Sequence, residues 1–568
     1  MHIQFIPNRG STPTVLLRES YRVGSKVCKR TLANLSSLGT AQIESIRAAL
    51  RGEVLHSVEK SFEINQSLGS GHVQAVSSAM KRLGFAALIS SKASPERDQV
   101  LAMVASRILS PQTKLATTRW WHTTTLAKDF CVEDCDENDL YAAMDWLLER
   151  QDVIQKQLAK RHLAEGGLVL YDLSSSYFEG CHCPLAKLGY NRDGKKGMLQ
   201  VNYGLLTDSR GCPVAVSVHE GNTSDSKTFM PAVQKLRKDY GIQKVVMVGD
   251  RGMVSQKAID ELNEIDGMGW ITALKSVQIR ALLEQGQLQM GLFDDRNLLE
   301  LSSPDFPNER LMACRNNALA NLRAHKREAL LLATEGKLEK IVLRVKSGKL
   351  STKENIGLAV GKIIDKFKVE KHFELTIGEA ALSWKRKTES IASEAALDGL
   401  YIIRTSVTSD QMDASTCVRN YKSLANVERA FRSIKTLDLK VRPIHHRTAD
   451  RVKAHILLCM LAYYVEWHMR EAWRELMFTD TEQAIKATRD PVAPAKRSKS
   501  AQEKASSHLL PDGTPAHSFA TLMDELATIV RNTCRTSKSD VDSPTFEITT
   551  TPNAKQKKAL ELIQTMSL

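Results

Sequence analysis

Three acidic residues, and the cations spaced around one of them, define the chemistry open to this chain. Asp172 follows the short apolar run Leu168-Val169-Leu170-Tyr171, which is preceded by Gly166-Gly167 and reads as a buried strand. The polar run Ser174-Ser175-Ser176 then breaks it. Asp250 ends a second apolar run, Lys244–Gly249 (KVVMVG). Glu428 lies in a helical stretch, Thr416–Thr436, with Tyr421, Leu424, Arg432 and Lys435 at offsets −7, −4, +4 and +7, so all five share one stripe. An acid, two cations and a tyrosine make a poor core face and a good one for a divalent metal and a phosphate chain. Carboxylates hold hard divalent ions, Mg2+ or Mn2+. Two such ions about 3.5–4 Å apart stabilise the entering and leaving oxygens of phosphodiester cleavage without a protein nucleophile. Asp193, Asp208 and Asp225 have Gly, Ser or Asn neighbours, where turn geometry accounts for them.

The elements that must carry these residues follow in order. Strands are expected over Leu168–Asp172, Met198–Thr207 and Val214–His219, the last two joined by the hairpin turn Asp208-Ser209-Arg210-Gly211. A helix over Ser226–Asp239, a strand over Lys244–Gly249, a helix from Ser255 to about Glu264 and a strand over Trp270–Leu274 complete the series. Three antiparallel strands, then helix, strand, helix, strand, is the order of a ribonuclease H-like α/β core. In such a sheet the first and fourth strands are neighbours, which brings Asp172 to Asp250. The core occupies residues 166–275 and is interrupted over 276–394 by a large insertion. The insertion reads as a basic helical hairpin near Asn308–Lys346, an amphipathic helix near Asn355–Lys366 and strands over Phe373–Ile377 and Ala381–Lys385. The core resumes over 395–475 with a strand, Leu400–Thr405, the Glu428 helix and a helix over Thr448–Trp473. Residues 1–165 read as a mostly helical, DNA-binding region opened by a small basic hairpin. Residues 476–568 are a C-terminal region with a Pro/Lys/Ser-rich linker, Asp490–Ser507, and a short helix, Ser518–Asn532.

Composition narrows the partners. Lys+Arg 79 against Asp+Glu 65 gives a net charge of +14, which favours an anionic partner, with nucleic acid first. No apolar run approaches the roughly 18–20 residues that span a bilayer, and Ile456–Trp467 contains Glu466, so it reads as a core helix. The N-terminus has no charged region followed by an apolar block, so no secretory signal is expected and a cytoplasmic, bacterial setting fits. The tightest Cys/His group, Cys181-His182-Cys183, does not match the usual zinc spacings. No G-x-x-x-x-G-K-[ST] phosphate loop occurs, which disfavours an NTP-driven enzyme.

Taken together, these segments resemble the DDE transposases of bacterial insertion sequences, in the insertion-sequence-four-like branch whose third acid lies in a Y-x2-R-x3-E-x6-K signature. Here the pattern reads Tyr421-x2-Leu424-x3-Glu428-x6-Lys435, with leucine in place of the usual arginine and Arg429 or Arg432 available to substitute. YDLSSSYFEG around Asp172, VGDRGM around Asp250, GYNRDGKKG (Gly189–Gly197) and HEGNTSD (His219–Asp225) also look like that family. The resemblance covers roughly Gly167–Leu274 and Leu400–Trp473. It implies that Asp172 bridges two Mg2+ or Mn2+ ions while Asp250 and Glu428 hold one each, and that Tyr421, Arg432 and Lys435 position a DNA strand. Lys195 and Lys196, in a Gly-flanked loop, and Arg251 and Lys275, beside the acids, are further candidate DNA contacts. The implied partners are double-stranded DNA, namely terminal inverted repeats and target DNA, and a second copy of the chain across paired ends. The alternatives are a ribonuclease H-like nuclease that cuts without joining and a DNA-binding protein derived from a transposase without its catalysis.

Overall fold

A computed structural model describes residues 1–53, 62–180, 182–535 and 544–566, apart from the side chains at 486 and 487. Cys181, of the Cys-His-Cys group, lies outside the described residues. The chain forms two compact units: Met1–Gly69 with Ile529–Thr551, and Ser70–Thr528 with Pro552–Leu568.

The first unit opens with β1 (His2–Asn8), β2 (Ser11–Val23) and β3 (Lys26–Asn34), an antiparallel sheet in chain order, then a helix, Thr40–Leu50, and β4 (Glu63–Gly69). The expectation of a mostly helical N-terminal region therefore holds only from Gly71 onward. Val15 is the one deeply buried apolar residue of the three-stranded sheet, so the alternation that betrays a half-buried strand is faint there.

In the second unit the helices Gly71–Arg82, Pro95–Leu109, Glu137–Glu149 and Gln151–His162 precede the sheet. Pro95 occupies the first helical position and the Ser94 hydroxyl accepts from Arg97 N at 3.3 Å, which starts the second of these helices cleanly. The sheet strands are β5 (Gly167–Tyr177), β6 (Gln200–Asp208), β7 (Pro213–Glu220), β8 (Val245–Val248), β9 (Met268–Ala273), β10 (Leu298–Leu301) and β11 (Arg310–Arg315). A hairpin of β12 (Phe373–Gly378) and β13 (Ala381–Arg386) follows, and β14 (Leu400–Thr405) returns to the sheet. The eight-stranded order is β10-β11-β14-β9-β8-β5-β6-β7; β5, β8 and β9 run parallel and the other pairings are antiparallel. Helices Ser226–Lys238 and Gln256–Asn263 are the crossovers into β8 and β9.

Two expectations change here. The run Ser174-Ser175-Ser176 does not end the first strand: β5 continues to Tyr177, because Ser174, Ser175 and Ser176 pair with Tyr203, Asn202 and Val201 on β6. The serines are buried, and the Ser176 hydroxyl lies 2.8 Å from the Tyr203 hydroxyl, so their polarity is satisfied inside the sheet. The stretch expected as an insertion also contributes two sheet strands, β10 and β11, with β11 where a helix was expected to begin. Beyond them, helices Asn317–Lys346 and Lys353–Phe367 pack through Leu331, Leu338 and Val345 on one and Ile356, Val360 and Ile364 on the other, closed by Phe373 of β12.

Helix Ala449–Ala472 is buried along most of its length, including Glu466 at 0% exposure. Arg470 Nε donates to Glu466 at 2.6 Å and the Ser433 hydroxyl donates to it at 3.0 Å, so the buried carboxylate is paired. Residues 490–507, read as a linker, include a helix, Lys499–Ser507. The expected helix Ser518–Asn532 is a helix only over Phe519–Ala527 and then becomes β15 (Val530–Arg535), which joins β16 (Thr545–Thr549) and β4 in the first unit's second sheet. Helix Ala554–Gln564 follows.

Candidate active site

The register between β5 and β8 places the first two acids. These parallel strands pair from Gly167↔Val245 to Leu170↔Val248 and then separate. Asp172 and Asp250 each lie two positions beyond the last paired residue, at the same level, where the C-terminal ends of parallel strands open a crevice. The third acid arrives on a helix that is interrupted at Ser423, Ala414–Lys422 then Leu424–Arg432, and widens into one π turn, Ser433–Leu437. Val427, Ala430 and Phe431 face inward and hold Glu428 on the outward side. Asp172, Asp250 and Glu428 line one cavity of about 450 Å3 with Ser174, Arg192, Asp193, Asp225, Arg432, Lys435 and Arg442.

The electrostatics of that cavity are uneven. Burial pushes the Asp172 carboxyl up to about 7; the Leu173 N–H opposes this at 2.8 Å, and the Asp250 and Glu428 charges add to the rise. Glu428 makes no hydrogen bond among the described residues. Asp250 accepts from the Tyr421 hydroxyl at 3.2 Å, and burial beside that carboxylate raises the Tyr421 phenol. Among the described residues, the acid oxygens of this cavity do not form a set of three all within 4.8 Å of one another. The hard oxygen donors of these acids fit Mg2+ or Mn2+, and the raised Asp172 carboxyl is an acid lacking the positive charge it needs.

Asp193 is a correction to the turn reading. Its side chain is 1% exposed and forms ion pairs with Lys435, at 2.7 Å, and with Arg442. It also accepts from Tyr177 N at 3.0 Å, which locks the Gly189–Gly197 loop onto the end of β5. Asp225 lines the cavity and pairs with Arg192 at 2.5 Å. Asp208 alone is the turn aspartate expected, accepting from Arg210 N and Cys212 N at 2.9 Å each. The GYNRDGKKG and HEGNTSD loops cross so closely that a Cβ on Gly189 would strike the Gly221 carbonyl, and one on Gly221 the Gln200 carbonyl.

The predicted cations divide. Arg432 is exposed at the cavity wall. Lys435, expected as a phosphate contact, is 8% exposed; its ammonium is taken up by Asp193 and by the Ser174 hydroxyl at 3.1 Å. It positions other groups rather than offering a free charge. Tyr421 and Arg251 line a second cavity of about 240 Å3 that shares Asp250 and reaches Arg323 of helix Asn317–Lys346. Lys195, Lys196 and Lys275 are exposed and line neither cavity. Arg192 and Arg442 were not among the expected site residues, and Asp193 was expected only as a turn residue; an arginine–aspartate pair inside a Gly-flanked loop was the available signal for Arg192 and Asp193. One set of metal-type ligands lies elsewhere, His162, Cys212 and His468, with ligand atoms all within 4.8 Å. Among the described residues no helix is long and apolar enough to cross a membrane.

A family model described as a transposase DDE domain matches residues 175–465, just over half of the chain, and one described as the IS1634 family transposase N-terminal domain matches residues 2–60. A search of curated proteins gives no match. Among solved structures, a piggyBac transposase synaptic complex with hairpin DNA is similar over 80% of this chain and 77% of that one, at 10% identity and a TM-score of 0.35. A Mos1 transposase paired-end complex with left transposon end is similar over 34% and 62%, at 11% identity and a TM-score of 0.14.

Proposed function

The chain belongs to the DDE transposase family of bacterial insertion sequences, and from that premise we propose that it binds the ends of its element, cleaves phosphodiester bonds there and joins the freed 3′-hydroxyls to target DNA. The observation that carries this reading is the common level of Asp172 and Asp250 on β5 and β8, with Glu428 in the same cavity. The strand order β7-β6-β5-β8-β9, with two antiparallel pairings and then two parallel ones, supports a ribonuclease H-like core, extended here by β14, β11 and β10.

Asp172, Asp250 and Glu428 would hold two divalent cations, which when bound neutralise charge on the entering and leaving oxygens. The protein's own groups do the rest. Tyr421 fixes the Asp250 carboxylate through its hydroxyl. The buried Asp193–Lys435–Arg442 cluster keeps Ser174 and Arg442 at the cavity wall while satisfying its own charges. Arg432 is free to take a phosphate oxygen, and Arg251 and the Arg323 guanidinium supply the same beside Asp250. Helix Asn317–Lys346 of the insertion thus borders the site, and strand positioning near the cut is the insertion's proposed role. The first unit is the proposed DNA-binding region, and the chain acts as a dimer across paired ends in a bacterial cytoplasm.

The test is cleavage and joining by the full chain on duplexes taken from inverted repeats flanking its coding region. Mg2+-dependent nicking should disappear in Asp172→Asn, and a pre-nicked end should be joined to a second duplex. Nicking that survives Asp172→Asn would sink the site; nicking without joining would leave only a nuclease.

A further inference from the structure

Arg442 has a second face. It also lines a separate cavity of about 460 Å3, together with Arg107, Lys114, Tyr141, His446 and His455. Arg107 comes from helix Pro95–Leu109, Lys114 begins helix Lys114–Trp120, and His455 lies on the buried helix Ala449–Ala472. Residues 441–446 form the opposite wall; the Phe178↔Ile444 bridge attaches them to the end of β5, the strand that carries Asp172.

The charge in this cavity is not balanced. Two basic residues nearer its edge have acids, Asp193 pairing with Arg442 and Glu179 lying 3.8 Å from His445, while Lys440 is exposed to solvent. The deeper cations have no such partner. Arg107 is 8% exposed and Lys114 5%, and neither has a carboxylate within ion-pair distance among the described residues. The Arg107 guanidinium reaches only the Gln112 carbonyl, at 3.4 Å. His455 is 5% exposed; its Nε2 lies 3.3 Å from the Val441 carbonyl oxygen, and its Nδ1 is buried with no hydrogen-bond partner among the described residues. Burial, with Arg107 beside it, pulls the Lys114 ammonium down to about 7, and burial with the Lys114 and Arg107 charges pulls His446 down to about 3. Arg107 and Lys114 are the cations of this interior; burial beside them pulls the His446 and His455 imidazoles down, which leaves those rings neutral. Like charges withdrawn from water without a counter-ion are costly, and a protein that keeps them does so where a ligand supplies the opposite charge.

We propose that this cavity is a phosphate-binding site, occupied by a phosphodiester group of the DNA strand that leaves the acid cavity past Arg442. A guanidinium fork, an ammonium and an imidazole converge on it with no carboxylate among them, which is the donor set a phosphate takes. The assignment to a DNA strand rests on the proposed function; the phosphate site does not.

Two measurements test it. The first is thermal unfolding of the full chain in sodium phosphate against sodium chloride at equal pH and ionic strength. Phosphate should raise the melting temperature saturably, as a ligand of the folded state does. Lys114→Met should raise the melting temperature in chloride and abolish the phosphate increment, with Arg107→Gln in its place where that variant does not fold. The second is DNA binding to element-end duplexes carrying one neutral methylphosphonate linkage at a time, stepped outward from the cut. Lys114→Met should weaken binding to unmodified DNA about ten-fold, and should cost nothing further on the duplex that is neutral at the contacted linkage. Phosphate no better than chloride, or a destabilised Lys114→Met that keeps the phosphate increment, overturns the site. A phosphate increment with a flat methylphosphonate scan supports the site and overturns the strand, assigning the ligand to a free phosphate compound. The first measurement needs neither DNA nor the three acids, so its failure is separate from any failure of the cleavage reading.

Discussion

The acid cavity and the cationic cavity lie on either side of Arg442, and they handle charge in opposite ways. In the first, Asp172, Asp250 and Glu428 line one cavity without ion-pair partners among the described residues, while Asp193 in the same cavity is matched by Lys435 and Arg442. In the second, Arg107 and Lys114 are the unmatched pair. The contrast sorts charges by pairing rather than by burial: Asp193, 1% exposed, already has its partners, whereas the acids left unpaired are those proposed to hold cations.

The largest effect expected from breaking this contrast is at the matched cluster. Asp193→Asn leaves Lys435 and Arg442 without their counter-ion and should destabilise the protein by about 3–5 kcal/mol in denaturant unfolding. Adding Lys435→Met should recover part of that loss; no recovery would mean that Asp193 acts through its hydrogen bond to Tyr177 N rather than through charge.

A smaller effect is expected at the unmatched acids. With its carboxyl raised to about 7, Asp172 holds its proton in the folded state at pH values where the unfolded chain has released it. Metal-free stability should therefore be highest below pH 4 as far as this group is concerned, and fall as pH rises to about 7, by on the order of a few kcal/mol. Asp172→Asn should flatten that slope, and Mg2+ should stabilise the unaltered protein more at pH 8 than at pH 6. A slope unchanged in Asp172→Asn would place the effect elsewhere, with Glu466, also raised to about 7, the next residue to replace.

The smallest effects belong to the free surface cations. Arg432→Gln should lower DNA affinity by about 1–2 kcal/mol and reduce the salt slope of binding by about one, with no change in unfolding. Lys195→Gln and Lys196→Gln should each change stability by less than about 0.5 kcal/mol. Equal losses at Arg432 and at the two lysines would show that loop charge matters as much as cavity charge.

Much of this was legible in the sequence because β5 to β9 and their two crossover helices follow local rules: apolar runs bounded by turns, and acids at strand ends. Leu400–Thr405 was read with its observed limits, since LYIIRT is rich in β-branched and aromatic residues. The serine run after Asp172 was misread because polar residues usually leave a sheet; these stay because β6 pairs with them and Tyr203 meets a hydroxyl. β10 and β11 were missed because LLEL is only four residues long and each strand depends on partners far along the chain. Asp193 carried the local signature of a turn residue, and its partners Lys435 and Arg442 lie some 240 positions away, beyond the reach of any spacing rule.

The place of β14 between β9 and β11 has a consequence for synthesis. A ribosome that stops before residue 400 releases a polypeptide whose β9 has an open edge and which has no Glu428, so structural completion and armament arrive within the same few dozen codons. Chains cut short there would leave that strand edge unpaired, a template for association with other chains.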